Sequence, residues 1–233
     1  MCGIVGYVGT NNVPNREYFA LDVVLEGLRR LEYRGYDSAG VAMLEGGKIN
    51  FRKKAGKVAG LDEEIARDPL PDSVVGIGHT RWATHGAPTD ANAHPHVVDG
   101  GKLAVVHNGI IENFAELKTE LAAKGYTFAS ETDTEVAATL LGDIMNGEGN
   151  GDLTESMRLT CNRLEGAFTL LALHVDFPDR IVAARRNSPL VIGLGEGENF
   201  LGSDVSGFID YTKNAVEMAN DQIVTITATD YSI

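Results

Sequence analysis

Cysteine is scarce in this chain, with only Cys2 and Cys161 among 233 residues. Two cysteines so far apart in the sequence provide neither a disulfide framework nor a recognisable zinc motif. Long apolar runs are also absent, since no stretch reaches the roughly 18 consecutive apolar residues of a membrane-spanning helix. The first residues, MCGIVGYVG, have neither the basic segment nor the long apolar segment of a secretory signal. We therefore expect a cytoplasmic protein that does not bind membranes.

Positive charge is the second shortage in the sequence. There are 20 lysines and arginines against 33 aspartates and glutamates, which gives a formal net charge of −13 at pH 7. A strongly acidic protein repels phosphate backbones and anionic lipid headgroups. Nucleic acids are therefore not expected as partners, and the chemistry of individual motifs has to indicate what the protein binds.

Short apolar segments bounded by Gly, Pro, Asn or Asp predict many β-strands, and apolar residues at helical spacing predict several helices. The predicted strands are Gly3–Val8, Gly40–Leu44, Ile49–Lys53, Val74–His79, Leu103–His107, Phe168–Val175, Arg180–Ala184, Leu190–Leu194 and Ile223–Thr227. The predicted helices lie around Leu21–Leu31, Phe114–Leu121, Val136–Ile144 and Leu153–Leu164. No linker divides the chain, so the sequence predicts a single domain over residues 1–233, of the α+β class.

Cys2 is the first residue with candidate chemistry, because it directly follows the initiator methionine. If Met1 is removed, Cys2 carries both a thiol and a free α-amine. Their reference pKa values are about 8.5 and about 7.7–8.0, so the amine can accept the thiol proton near neutral pH. Cys2 is therefore a candidate N-terminal nucleophile with its own base. An incidental cysteine is the commoner explanation when Met-Cys-Gly is taken alone.

The segment HTRWATHG, residues 79–86, follows an apolar predicted strand. The guanidinium of Arg81 presents a planar fork of donors that suits a substrate carboxylate. Trp82, the only tryptophan in the chain, lies in a loop-like context where it can cover a pocket. A surface ion pair beside a packing tryptophan is the alternative interpretation.

Histidines are concentrated in one part of the sequence, which raises the question of a metal site. They are His79, His85, His94, His96 and His107. Histidine is a common metal ligand, and the spacing of His94-x-His96 would allow both side chains to bind one metal ion. No carboxylate or cysteine completes a recognisable ligand pattern around it, and no His-Glu-x-x-His helix is present. We therefore expect no metal at these residues.

Asn108 and Gly109 follow the predicted strand that ends at His107, and two interpretations of them remain open. Asn-Gly is among the strongest short turn signals, which favours a simple turn. An Asn side-chain amide beside a glycine N–H can instead point at a developing oxyanion, and glycine allows the close approach of a substrate.

Asp133 lies in the segment ETDTE, where Thr132-x-x-Glu135 predicts a capping box at the start of a helix. A carboxylate in the first helical turn is favoured by the helix dipole, which is a sufficient structural reason for it. The functional alternative is that Asp133 accepts hydrogen bonds from a substrate ammonium group. Together, the candidate groups fit a free α-amino acid that has a reactive side-chain carboxamide.

Seven stretches of the sequence resemble one enzyme family. They are Cys2–Gly6, Leu25–Gly40, Gly78–Gly86, Asn92–His96, Val105–Asn113, Gly125–Glu135 and Ser188–Phe200. In this order they resemble the glutaminase domains of glutamine–fructose-6-phosphate aminotransferases, which are class II glutamine amidotransferases with an N-terminal nucleophile. The likeness extends over essentially the whole chain.

The resemblance implies a four-layer αββα sandwich of two mainly antiparallel sheets, the fold of N-terminal-nucleophile hydrolases. It implies that Cys2 is the nucleophile and that Asn108 and Gly109 form the oxyanion hole. For the substrate, the family pattern implies that Arg81 binds the α-carboxylate of L-glutamine, that Thr84 and His85 contribute to the substrate loop, and that Asp133 binds the α-amino group. It also implies that Trp82 gates the passage of ammonia. The implied reaction releases glutamate and ammonia through a Cys2 thioester, with no cofactor.

The family resemblance also implies a partner for this domain. A C-terminal sugar isomerase domain is expected to use the ammonia to make glucosamine 6-phosphate from fructose 6-phosphate, and it is absent from this chain. The resemblance leaves assembly into a homo-oligomer open. Two departures are notable, because Met1 still precedes Cys2 and the region from Thr10 to Ala20 is longer than is usual in the family.

Two rival functions are considered. The first is the glutaminase domain of a phosphoribosylpyrophosphate amidotransferase, which shares Cys-Gly and His-Asn-Gly with this chain. Those enzymes tend to have Arg-Tyr-Ser-Thr where this chain has residues 81–84, and Ser-Asp-Ser-Glu where it has residues 132–135, so both loops favour the hexosamine branch. The second rival is a glutamine-binding module without catalysis, which the intact nucleophile position speaks against.

Overall fold

The computed structural model describes residues 2–10 and 18–233. The predicted insertion between Thr10 and Ala20 therefore lies mostly outside the described residues, and so does Met1. The described strands are β1 (Gly3–Gly9), β2 (Ser38–Glu45), β3 (Lys48–Ala55), β4 (Val75–Arg81), β5 (His96–Val98), β6 (Leu103–Ile111), β7 (Gly166–His174), β8 (Arg180–Arg186), β9 (Val191–Leu194), β10 (Glu198–Gly202), β11 (Ala215–Glu217), β12 (Gln222–Thr227) and β13 (Tyr231–Ser232). The helices are α1 (Ala20–Leu31), α2 (Val58–Arg67), α3 (Phe114–Ala123), α4 (Asp133–Asn146) and α5 (Leu153–Arg163).

The strands form two antiparallel sheets, which confirms the predicted α+β class. The first sheet has the order β11-β9-β10-β1-β4-β2-β3, and the second has the order β13-β12-β8-β7-β6-β5. A hairpin joins β2 and β3, where Glu45 pairs with Lys48 and the two glycines between them have positive φ. Such φ values at both central residues are those of the tight hairpin turns that glycine favours.

Three apolar layers separate four structural layers. One layer lies between the two sheets and contains Ile4 of β1 and Val106 of β6. A second lies between the first sheet and helices α1 and α2, and a third lies between the second sheet and helices α3, α4 and α5. Neighbouring residues of one strand therefore enter different layers, as Val105 and Val106 do. This double burial explains why the central strands are apolar without alternation.

All four predicted helices are present, whereas α2 was not predicted. That helix is short and includes Gly60, and only Val58 and Leu61 within it are buried. The helical spacing of apolar residues in its sequence is therefore weak. The predicted capping box at α4 forms only in part. Thr132 accepts the N–H of Glu135, but the Glu135 carboxylate accepts hydrogen bonds from the main chain of Ala129 and Ser130.

Cys161 is buried on the inner face of α5, where it follows the buried Leu153 and Met157 at helical spacing. Burial raises the pKa of its thiol to about 12, so Cys161 is an inert core residue. Among the described helices, none has the length and apolar character needed to cross a membrane.

Candidate active site

Two neighbouring cavities meet at Cys2, where the end of the first sheet faces the second sheet. The larger has a volume of about 310 Å³ and includes Cys2, Asn108 and Gly109 in its lining. The smaller has a volume of about 10 Å³ and includes Cys2, Arg81 and Asp133. Every site residue predicted from the sequence lines at least one of them: Cys2, Arg81, Trp82, Thr84, His85, Asn108, Gly109 and Asp133.

Cys2 is held by its main chain immediately before β1. Its carbonyl oxygen accepts hydrogen bonds from Nδ2 of Asn108 at 3.0 Å and from Nε of Arg34 at 3.3 Å. The main-chain N–H of Trp82 donates to the Cys2 Sγ at 3.2 Å. The nucleophile candidate is therefore fixed by both sheets and by the loop that follows β4.

The Cys2 thiol is not activated by its surroundings alone. Burial raises the pKa of the thiol, and the N–H that Trp82 donates to Sγ offsets only part of this effect. A thiol with a raised pKa is mainly protonated at neutral pH, and only the thiolate is a strong nucleophile. Chemistry at Cys2 therefore requires a base.

Asn108 and Gly109 lie inside strand β6, paired with β7, so the interpretation of Asn-Gly as a turn is wrong. Gly109 has a φ of 126°, and a Cβ atom there would lie 2.0 Å from the carbonyl oxygen of Ala167. Only glycine fits this position. The pair therefore presents a side-chain amide and an unobstructed main chain to the larger cavity, an arrangement suited to an oxyanion.

Arg81 ends β4 and does not form the surface ion pair considered above. Its guanidinium donates to the main-chain carbonyl oxygens of His85, Gly86 and Ala87, at 3.1 Å and 3.2 Å for the last two. The side chain is buried. Arg81 therefore organises the loop that follows it, and a carboxylate bound there has to share or replace these carbonyl contacts.

The loop after Arg81 is anchored at several points, but its first residue, Trp82, is exposed. The carboxylate of Asp37 accepts the N–H of Ala83, and the Asn92 amide donates to the Ala87 carbonyl at 3.0 Å. Trp82 is 49% exposed and contacts Tyr36 edge to face, with 5.5 Å between ring centroids. An exposed aromatic pair at the mouth of a cavity is unusual for a packing role.

Asp133 occupies the first turn of α4 and faces the smaller cavity. One carboxylate oxygen accepts the N–H of Ile111 at 2.9 Å and lies 3.9 Å from Nδ1 of His85. The other lies 4.0 Å from Nδ1 of His107. The carboxylate is almost completely buried, so its free lone pairs favour a cationic partner.

Several lining residues were missed from the sequence. Arg34 donates a hydrogen bond to the Cys2 carbonyl oxygen, and Asn187, Ser188 and Pro189 line the larger cavity. Arg34, Ser188 and Pro189 lie within the matching stretches Leu25–Gly40 and Ser188–Phe200, whereas Asn187 lies one residue before the second stretch. Within residues 2–10 and 18–233, no group of three or more metal-ligating side chains is placed to hold a metal ion.

Comparison with known proteins places this chain in a family. A family model described as a glutamine amidotransferase domain matches residues 79–210. The isomerizing glutamine–fructose-6-phosphate aminotransferase of Corynebacterium diphtheriae is 78% identical over 233 residues, which are 100% of this chain and 37% of that protein. The Streptomyces coelicolor protein of the same name is 61% identical over 224 residues, covering 96% of this chain and 35% of the relative. The chain therefore spans little more than a third of the curated relatives it matches.

A solved structure has the same fold. The glutamine phosphoribosylpyrophosphate amidotransferase of Bacillus subtilis superposes with a TM-score of 0.79, covering 97% of this chain and 47% of that one, at 24% sequence identity. A likeness at this identity shows the shared fold and nothing about substrate. It agrees with the predicted sandwich of two sheets between helical layers, the fold of N-terminal-nucleophile amidotransferases.

Proposed function

Because the chain belongs to the glutamine amidotransferase domain family, we propose that it hydrolyses L-glutamine to L-glutamate and ammonia, with Cys2 as the nucleophile. One observation carries the proposal. Cys2 lies where a cavity with oxyanion donors meets a cavity with an arginine and a buried carboxylate. Glutamine needs both kinds of site, on either side of one thiol. Its side-chain amide needs the oxyanion donors, and its α-amino acid end needs the arginine and the carboxylate.

The base in this proposal is the α-amine of Cys2, released when Met1 is removed. The raised pKa of the thiol makes such a base necessary. The amine takes the thiol proton, directly or through a water molecule, and the thiolate attacks the side-chain amide carbon of glutamine. Met1 lies outside the described residues, so its removal is part of the proposal.

Asn108 and Gly109 act on the negative charge that develops on the amide oxygen. The Asn108 amide has two N–H bonds, of which one is donated to the Cys2 carbonyl, so a second remains for the oxyanion. The protonated amine then gives its proton to the leaving nitrogen, and ammonia departs. Water, deprotonated by the same amine, hydrolyses the γ-glutamyl thioester and restores the thiol.

Asp133 and Arg81 bind the amino acid end in this proposal. Asp133 accepts hydrogen bonds from the α-ammonium group, and Arg81 donates to the α-carboxylate with help from Thr84 and His85. A cavity of about 10 Å³ holds no more than about one water molecule. The loop that starts at Trp82 therefore has to move outward when glutamine binds.

We further propose that this single domain supplies ammonia within a larger enzyme. The names of the relatives support glucosamine 6-phosphate synthesis from fructose 6-phosphate by a C-terminal sugar isomerase domain, with Trp82 gating the ammonia. The same names favour this hexosamine role over that of a phosphoribosylpyrophosphate amidotransferase. The two free cysteines support a cytoplasmic location. A homo-oligomer remains open.

The proposal is tested by incubating the 233-residue chain with glutamine and measuring ammonia and glutamate in equal amounts. Cys2→Ala should lower turnover by about 10⁴-fold or more, the scale on which the loss of a nucleophile acts in other hydrolases. Cys161→Ala is the matched control, because it removes the other, buried thiol and should leave turnover unchanged. Turnover in Cys2→Ala equal to that of the wild type would refute the nucleophile, and glutamine binding without turnover in the wild type would favour a non-catalytic module.

A further inference from the structure

One buried hydrogen bond joins the two sheets at the active site. His79 lies on β4 of the first sheet, and Asn108 lies on β6 of the second. The His79 Nε2 atom is 3.0 Å from the Asn108 Oδ1 atom. Both residues are buried, with 1% and 5% of their surface exposed. The bond therefore lies in a region shielded from water, where a hydrogen bond is strong and an unpaired partner is costly.

The contacts of Asn108 determine which way its amide faces. Its Nδ2 atom donates to the Cys2 carbonyl oxygen at 3.0 Å, and its Oδ1 atom faces His79. A reversed amide would place two oxygens against each other at Cys2. The His79 Nε2 atom must then carry the ring proton and act as the donor, because the amide oxygen can only accept.

The surroundings of His79 keep the ring neutral and in place. Burial lowers the pKa of His79 to about 3, and the nearby His107 and Arg81 act in the same direction. The ring of His94 lies against that of His79, with 4.1 Å between ring centroids. His79 is therefore a neutral donor with a restricted ring position at any pH at which the protein works.

We propose that His79 is a positioning residue for the reaction, which holds the Asn108 amide so that an Nδ2–H points at the oxyanion. This inference rests on the proposed glutaminase function. In it, His79 does not contact glutamine and moves no proton. It acts through Asn108, and it keeps the Asn108 amide on the second sheet correctly positioned relative to the Cys2 thiol on the first.

The proposal predicts a loss in the chemical step alone. His79→Met and His79→Leu fill similar space without a donor, and both should lower kcat by about 10-fold, the value of one oriented hydrogen bond. The KM for glutamine should change little, because the residues proposed to bind the amino acid end are untouched. His79→Gln, which retains an N–H donor, should recover most of kcat. His174→Leu removes a buried histidine remote from the site and should leave kcat unchanged.

Two further measurements separate positioning from a general structural defect. Alkylation of Cys2 by iodoacetamide develops no oxyanion, so its rate should stay the same in the His79 variants, and Cys161 is too buried to contribute. In an Asn108→Ala background, His79→Met should cause no additional loss of kcat. The inference would be overturned if kcat were unchanged in both His79→Met and His79→Leu. It would also be overturned if the alkylation rate of Cys2 fell together with kcat, or if the effects of His79→Met and Asn108→Ala were fully additive. An inactive wild type would instead refute the proposed function.

Discussion

The two sheets contribute different kinds of group to the site. The first sheet carries Cys2 before β1 and, after β4, the loop that begins with Trp82. The second carries Asn108 and Gly109 within β6, and Asp133 on the helix packed against it. Trp82 is 49% exposed, whereas Asn108 is 5% exposed and Asp133 is 4% exposed. The second sheet thus presents fixed groups, which are suited to a developing oxyanion and to a bound ammonium group. The loop of the first sheet is the part that can adapt to substrate.

This division explains the unequal cavities. The larger one is lined by Asn108 and Gly109 of β6, and the smaller one is lined in part by the loop that Arg81 organises. Groups on strands gain their precision from cross-strand pairing, and those on loops depend on a few side-chain contacts. We therefore expect changes at Asn108 and Gly109 of β6 to affect kcat, and changes that disturb the loop after Arg81 to affect KM.

Apart from loss of the nucleophile itself, the largest effect should come from Asn108→Ala. Removing one oxyanion donor typically lowers kcat by about 10²–10³-fold, and KM should change much less. Steady-state glutaminase kinetics check this. Asn113→Ala is the matched control, since Asn113 also makes two hydrogen bonds, to the main chain of Arg163 and Glu165, away from the cavity. A rise in KM with normal kcat for Asn108→Ala would break the proposed division between the sheets.

A smaller effect is expected from Arg81→Lys. Lysine keeps the charge but loses the planar fork that contacts three loop carbonyls. Losing one charge-assisted hydrogen bond should raise KM by about 10-fold, with kcat less affected. Arg52→Lys is the control, because Arg52 pairs with Asp68 at the edge of the first sheet. If Arg81→Lys lowers kcat at constant KM, Arg81 does not bind the carboxylate.

Sequence patterns predicted the architecture well where burial determines the residue type. The central strands, four of the helices and the buried position of Cys161 all follow from local apolar patterns. The Asn-Gly turn signal failed because pairing of β6 with β7 continues through Gly109, whose positive φ meets the glycine preference within a strand. Tertiary pairing outweighed the local preference there.

Contacts between distant segments could not be predicted from local patterns. Arg34 lies in a short helical turn and reaches the Cys2 carbonyl, and His79 is a strand residue whose partner is on the other sheet. Neither side chain has a spacing that indicates its role, because the contact depends on how the sheets pack. The resemblance to a known family supplied the site roles, and the structure adds what holds those residues in place.

Intact mass and glutaminase activity, measured on one sample, test the role of Cys2 as an N-terminal nucleophile. The chain is incubated with glutamine, ammonia is measured, and the mass of the active protein is determined. Active protein should lack Met1, so that Cys2 has a free amine, and rapid quenching should capture a γ-glutamyl adduct on Cys2. Full activity in protein that uniformly retains Met1 would contradict the Cys2 amine as the base.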